Sequence, residues 1–219
     1  MKKWIWLLVI VGAGIPFAYF YMQPTPKPLP IINPVDVNDS LVDADLLRKG
    51  FGHTIADFEF TNQDGKSFSS KEIEGKIWVA EYFFTTCASI CPKMNKQMTR
   101  VQEHFKGDKK LVILSFTVNP EVDTVAQMKR HADQLGAMLP QWQLLTGEKE
   151  DLYALARKSF FLLKPAEAEN MGDAGNDFIH TNNFVLVDQQ RRIRGYYDGT
   201  NAKEVDQMML DIHRLEQEK

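Results

Sequence analysis

The sequence predicts an α/β protein, in which the strands of a layered sheet alternate with helices along the chain. Three observations indicate this class: apolar runs as short as buried strands, amphipathic runs at helical spacing between them, and turn signals at the junctions. Both cysteines of the 219-residue chain lie at one junction, between a strand and a helix. One short stretch therefore combines the centre of the predicted sheet with reactive chemistry.

The chain begins with a lysine pair and an uncharged apolar run, Trp4–Tyr21. Eighteen helical residues span about 27 Å, which is close to the thickness of a bilayer core. We expect residues 1–22 to be an uncleaved transmembrane anchor, with Lys2 and Lys3 cytoplasmic and the rest of the chain on the other side. A cleaved signal peptide is the alternative.

A proline-rich segment follows, with five prolines between Gln23 and Pro34. Such composition favours polyproline II, a semi-rigid spacer. We expect residues 23–45 to form a linker that stays out of the core. Residues 46–219 have the length of one domain.

The predicted domain opens with a β-hairpin, because Asp57–Ser69 alternates around Asp64-Gly65. The apolar run Ile77–Phe84 predicts a buried strand, in which Glu81 is the only charge. Pro92 then opens a predicted helix, Lys93–Phe105. The other predicted elements are strands at Leu111–Phe116, Trp142–Leu145, Phe184–Val187 and Arg192–Tyr197, and helices at Val122–Leu135, Glu148–Arg157 and Val205–Ile212.

The two cysteines, Cys87 and Cys91, are separated by three residues at the turn between strand and helix. Residues four apart share a helix face with Cα atoms about 6 Å apart, which suits a disulfide or two sulfurs on one soft metal ion. The N–H dipoles at a helix start favour thiolates. Two buried small residues or a structural disulfide are the alternative interpretation.

Among the five histidines, His180 differs because it ends a polar loop, Pro165–Asp177, and precedes an apolar strand. Long loops inside compact domains are usually functional or mobile. A structural role is the alternative for a single histidine such as His180. We expect solvent exposure for the histidines on predicted helices, and His53 has no evident partner; the helical ones are His104, His131 and His213.

Two further pairs of residues carry side chains that could have a chemical role. Met94 and Met98 follow Cys91 on its helix face, and we expect core packing, although thioethers also bind Cu(I). Glu121 and Asp123 are expected to serve a turn and the first turn of a helix rather than acid–base catalysis.

The stretch TTCASICPKM resembles the Cys-x-x-x-Cys-Pro signature of the Sco family, also called SenC. FTVNPEVDT, WQLLTG and HTNNFVLVDQQRRIRGYYDG also resemble this family, so the similarity runs from about Phe58 to Gly199. Asn119 departs from the aspartate of many members. The resemblance implies a membrane-anchored copper protein with a thioredoxin-like fold, here with an N-terminal β-hairpin. It also implies a role in cytochrome c oxidase assembly.

Carried onto this sequence, the resemblance implies that Cys87, Cys91 and His180 bind copper, as Cu(I) or Cu(II). The predicted function is a copper chaperone for the dinuclear copper centre of cytochrome c oxidase, with the copper-bearing oxidase subunit as partner. The implied location is a bacterial inner membrane, with the domain on the periplasmic side. Zinc is a competing metal, because Cys₂His with an open position is also a zinc pattern.

The same pair, Cys87 and Cys91, could instead cycle through a redox disulfide. A thiol–disulfide reductase that maintains a partner's cysteines is therefore the alternative function, and a peroxidase is a weaker one. We expect no conventional enzyme and assign no catalytic residue. Lysine plus arginine total 26 against 29 aspartate plus glutamate, which argues against a nucleic-acid partner.

Overall fold

The computed structural model describes residues 27–162 and 181–218, together with Gly12 and Gly14. Its described strands form one seven-stranded sheet. These strands are β1 Glu59–Asn62, β2 Ser67–Ser69, β3 Ile77–Phe83, β4 Leu111–Thr117, β5 Trp142–Thr146, β6 Asn183–Val187 and β7 Ile193–Asp198. The described domain helices are α1 Ala44–Lys49, α2 Cys91–His104, α3 Val125–Leu135, α4 Lys149–Lys158 and α5 Ala202–Gln217.

The strand order across the sheet is β2-β1-β5-β4-β3-β6-β7. The three central strands β5, β4 and β3 run parallel, as expected for strands joined through crossover helices. The flanking pairs, including the β1–β2 hairpin and the β6–β7 hairpin, are antiparallel. Strand β3 thus lies between a parallel neighbour and an antiparallel one, and every residue in it is buried.

Helices cover both faces of the sheet, so the central strands are buried on both sides. One face packs against α2, α3 and α5, which contribute Met94, Met128 and Ile212 among others. The other face packs against α4 and a cluster of aromatic rings. This cluster consists of Phe58, Phe60, Trp78, Tyr82, Phe116 and Phe160, with neighbouring ring centroids 5.3–6.1 Å apart.

The structure confirms the predicted layered α/β sheet with its N-terminal hairpin, and element boundaries differ by a few residues. Helix α3 begins at Val125 rather than Val122. The reason is local: the Thr124 hydroxyl accepts a hydrogen bond from the backbone N–H of Gln127 and caps the helix there. Val122 lies before this cap and is exposed.

The expectation that the proline-rich segment stays out of the core is wrong for part of this segment, beginning at Leu29. Leu29 is buried against the face that carries α2 and α5, and Ile32 forms a β-bridge with Ile193 of β7. The buried Arg194 guanidinium donates to the carbonyl oxygens of Leu29 at 2.7 Å and Pro30 at 3.0 Å. Proline lacks a backbone N–H but keeps its carbonyl oxygen, which can still accept a hydrogen bond. The prolines therefore do not prevent this docking.

Two predicted features lie outside the described residues: the membrane anchor Trp4–Tyr21, apart from Gly12 and Gly14, and the loop Pro165–Asp177. Over the part of the chain that is described, no helix combines the length and apolar character needed to cross a membrane. The anchor therefore stays a prediction.

Candidate metal centre

The two cysteines lie at the carboxyl end of β3, where the chain turns into α2. Cys87 is in the connecting loop, and its N–H donates to the Phe84 carbonyl at 3.2 Å. Cys91 is the first residue of α2, with Pro92 immediately after it. Neither cysteine forms a disulfide, and Cys91 is buried whereas Cys87 is partly exposed. The site therefore presents one sulfur toward solvent and a second one behind it.

A buried carboxylate, Asp123, ties this loop to the connection between β4 and α3. It is fully buried and accepts hydrogen bonds from the backbone N–H of Thr85 at 3.2 Å and from the Thr85 hydroxyl. The Thr117 hydroxyl at the end of β4 donates to the same carboxylate. Asp123 also stabilises the predicted turn, because its N–H donates to the Asn119 carbonyl at 2.8 Å. The loop that carries Cys87 is thereby fixed by the connection that follows the neighbouring strand β4.

The pKa values of the two thiols are shifted in opposite directions. Burial alone disfavours ionisation of Cys87, but hydrogen bonds from the Cys91 thiol and N–H and from Ser89 outweigh it and lower the pKa to about 7. Burial and the adjacent Cys87 raise the pKa of Cys91 well above its ordinary range. The expectation that the helix start favours thiolates holds for Cys87 only, because desolvation dominates at Cys91.

Beneath the cysteine turn lies a buried carboxyl that the sequence analysis did not assign to the site. Glu81 in β3 is fully buried, and its Oε1 accepts a hydrogen bond from the Ser115 hydroxyl at 2.6 Å. Ser115 in turn accepts from Trp142 Nε1 at 2.8 Å, whereas Glu81 Oε2 has no partner among the described residues. Burial raises the pKa of Glu81 to about 7. Its charge contributes to the raised pKa of Cys91.

The third predicted ligand, His180, lies outside the described residues. Within residues 27–162 and 181–218, no group of three or more His, Cys, Asp or Glu side chains is placed to hold a metal ion. The described part of the site is therefore a two-sulfur centre. Two thiols select soft metals such as Cu(I) over magnesium or calcium, and they also suit zinc.

The other candidate side chains lie elsewhere. Met94 and Met98 are buried in the core, as predicted. The expectation that His131 is solvated is wrong: its ring stacks on Phe83 with centroids 5.5 Å apart. Burial lowers the pKa of His131. His53 finds the partner that the sequence did not indicate, because its Nε2 donates to the Ser159 carbonyl at 2.8 Å.

Comparison with known proteins finds relatives that are similar in sequence and in structure. The Bacillus subtilis SCO1 protein homolog is 31% identical over 169 residues, which cover 76% of this chain and 84% of the relative. A Stutzerimonas stutzeri protein named as copper-binding is 27% identical over 164 residues, 74% of this chain and 78% of its own. The solved structure of BsSco, described as a Sco-family cytochrome c oxidase assembly protein with a disulfide switch, superposes with a TM-score of 0.64.

That superposition has 31% sequence identity and covers 77% of this chain and 96% of BsSco. The sequence also matches the SCO1/SenC family over residues 48–217, which include both cysteines, Glu81 and Asp123. The thioredoxin-like fold that the resemblance implied is therefore confirmed, and so is the resemblance itself. Because the family match covers residues 48–217 and the Bacillus subtilis relative is 31% identical, the chain belongs to the SCO1/SenC family.

Proposed function

We propose that this protein binds one copper ion through Cys87, Cys91 and His180 and delivers it to the copper-bearing subunit of cytochrome c oxidase. One observation carries the proposal: two unbridged cysteines meet at the end of β3, one partly exposed and ionising near neutral pH, the other buried. Copper is the cargo in this scheme. The relatives named for copper binding and for oxidase assembly support the same choice.

The sheet register supports a place for His180 near the sulfurs. Strands β6 and β3 are antiparallel with Val185 opposite Ala80, so β6 begins beside the end of β3 where the cysteine loop starts. His180 precedes the first residue of β6, Asn183, by three positions. Three extended residues reach at most about 10 Å, so the chain is short enough to keep an imidazole in that neighbourhood.

The two sulfurs have different tasks in this proposal. Cys87 is partly exposed and close to half ionised at neutral pH, so it meets the incoming ion first. Cys91 enters as a thiol and loses its proton when it ligates, because only a thiolate binds the metal. Binding of one Cu(I) at pH 7 therefore releases between one and two protons. Its release to a partner is favoured by protons returning to Cys91.

The test is a Cu(I) and Cu(II) titration of the full-length reduced chain and four variants. Cys87→Ser and Cys91→Ser should each abolish tight binding, since each removes a thiolate donor. His180→Ala should weaken Cu(II) more than Cu(I), because Cu(II) relies more on imidazole. His53→Gln is the matched control, since the His53 ring is engaged with the Ser159 carbonyl and is not one of the proposed ligands. Unchanged affinity of His180→Ala for both oxidation states would remove His180 from the site.

A thiol–disulfide reductase is the second candidate, and the asymmetric cysteine pair favours it. A partly exposed thiol with a lowered pKa beside a buried thiol is the arrangement of an attacking and a resolving cysteine. In that case both cysteine variants lose reduction of a partner disulfide, while His180→Ala retains it. A thiol-exchange assay on the titrated samples separates the two functions.

For location, we propose that Trp4–Tyr21 anchors the chain in the bacterial inner membrane, with the domain on the periplasmic side. The support is the length of the uncharged run behind Lys2 and Lys3. This placement would bring the cysteine site to the side of the membrane on which the proposed oxidase partner is loaded.

A further inference from the structure

A histidine pair on the surface joins the end of α2 to α5, far from the cysteine turn. Nε2 of His104 lies 3.2 Å from Nε2 of His213. Both side chains are exposed, and the two residues are 109 positions apart in the chain. His104 is the last residue of α2 and Cys91 is the first, so about 20 Å of helix separates the pair from the cysteines. The proposed copper centre does not use it.

Neighbouring groups hold both rings in place. The Phe105 ring packs against each imidazole, with centroid distances of 4.8 Å to His104 and 4.8 Å to His213. Nδ1 of His213 lies 3.0 Å from Oε2 of Glu216, one turn further along α5. A carboxylate can only accept, so Nδ1 of His213 carries the proton. Nε2 of His213 is therefore unprotonated, and its lone pair is directed at His104.

The tautomer of the second ring follows from the first. Without a metal, Nε2 of His104 carries a proton and donates it to the Nε2 lone pair of His213. If that proton moves to Nδ1 of His104, both Nε2 atoms carry a lone pair that can bind the same ion. A carboxylate on the distal nitrogen of a metal-bound histidine is the usual arrangement that orients such a ligand, and Glu216 supplies it for His213.

The separation of the two nitrogens fits a single ion. With metal–nitrogen bonds of about 2.0–2.1 Å, two ligands of one ion lie about 2.9 Å apart at a right angle and about 3.3 Å apart at a tetrahedral angle. The observed 3.2 Å falls between these limits. The ring centroids are 5.4 Å apart, close to a head-on arrangement of the two nitrogens, so both rings must tilt slightly to direct their lone pairs at an ion on the exposed side.

We infer that His104 and His213 form a second metal site, which takes one divalent transition ion with nitrogen preference, such as Cu²⁺ or Zn²⁺. Imidazole suits both ions, and the general order of affinity places Cu²⁺ above Zn²⁺. Among the described residues no third ligand is placed to complete this site, so water fills the remaining positions. The ion would fasten the carboxyl end of α2 to α5.

The test uses the full-length chain carrying Cys87→Ser and Cys91→Ser, so that the sulfur centre cannot compete. Cu²⁺ is the probe, followed by electron paramagnetic resonance, with Zn²⁺ as competitor. We expect one Cu²⁺ with two nitrogen donors. His104→Ala and His213→Ala should each lower the affinity at least tenfold, because each removes half of the protein ligands. Both side chains are exposed, so neither change removes a side chain from the core, and both are made at the rim of the buried Phe105 ring.

Two further variants sharpen the result. Glu216→Ala should lower Cu²⁺ affinity roughly tenfold while leaving both ligands present, as expected for a residue that orients a ligand. His53→Gln removes a histidine elsewhere and should leave affinity unchanged. Equal Cu²⁺ affinity in the parent and in the His104→Ala/His213→Ala protein would overturn the inference, and so would a spectrum with a single nitrogen donor.

The outcome is independent of the proposed function. In a chain with both cysteines intact, His104→Ala/His213→Ala should keep its Cu(I) affinity, because the sulfur centre is about 20 Å away. Loss of Cu(I) binding in the cysteine variants with intact Cu²⁺ binding at the histidines supports both sites. Failure at the cysteines alone would overturn only the chaperone proposal.

Discussion

The buried carboxyl under the cysteine turn makes stability depend on pH in a way that one substitution should remove. Glu81 is fully buried, and burial raises its pKa from an ordinary value of 4.5 to about 7. The folded protein therefore keeps a proton between these pH values that the unfolded chain has lost. The contribution of Glu81 to the free energy of unfolding is fully present below pH 4.5 and is lost as the pH rises through 7.

The magnitude follows from the size of the pKa change. A difference of about 2.5 pH units at about 1.4 kcal/mol per unit gives a loss of about 3 kcal/mol between pH 4.5 and 8. Glu81→Gln has no titrating proton and keeps an oxygen for the Ser115 hydroxyl. Its amide leaves one buried donor unpaired, which lowers stability by about 1–3 kcal/mol at every pH. The pH dependence alone therefore reports the carboxyl.

Urea denaturation of the reduced wild type and of Glu81→Gln at pH 5, 6, 7 and 8 measures this difference. His53 and His131, whose pKa values are lowered by burial, destabilise both proteins at low pH equally and cancel in the comparison. We expect the wild type to lose about 2.5 kcal/mol more than the variant between pH 5 and 8. Parallel curves for the two proteins would refute the assignment of a raised pKa to Glu81.

Three further predictions concern the site and its attachment. A Cys87–Cys91 disulfide should form in the metal-free protein and block Cu(I) binding, because both ligands must be thiolates. Thiol alkylation followed by mass spectrometry detects the disulfide. Equally tight Cu(I) binding by the oxidised protein would contradict this prediction. Asp123→Asn should lower the free energy of unfolding by about 3 kcal/mol, since buried charge-assisted bonds to Thr85 are weakened; an unchanged urea midpoint would argue against it. Trp4–Tyr21 should remain on the mature protein, and sequencing that begins beyond residue 21 would exclude the anchor.

The sheet could be predicted because its signals are local. The run Ile77–Phe83 is apolar and as long as a central strand, and the Asp64-Gly65 turn fixes the first hairpin. The strand–turn–helix position of Cys87 and Cys91 followed from the same local signals. Glu81 carried a signal too, since it is the only charge in a buried strand, but the sequence does not show which residues surround it.

Contacts between distant parts of the chain could not be predicted from one sequence. Asp123 reaches Thr85 across 38 positions, and His104 meets His213 across 109. Helical periodicity places each of these residues on an element but does not say which element packs against it. The docking of Leu29 likewise depends on Arg194, because composition describes a segment's own preference and not the partner that satisfies its carbonyls.

If the chain is anchored through Trp4–Tyr21, the docking of this segment would also limit the distance between the domain and the membrane. Arg194 holds the chain at Leu29, and the Glu218 carboxylate accepts from both the Leu29 N–H and Arg194. With an anchor that ends at Tyr21, the seven residues 22–28 would separate it from Leu29 and could span at most roughly 25 Å. A linker running free to residue 45 would reach roughly 80 Å. Such a short connection would confine the cysteine site to partners in the same membrane.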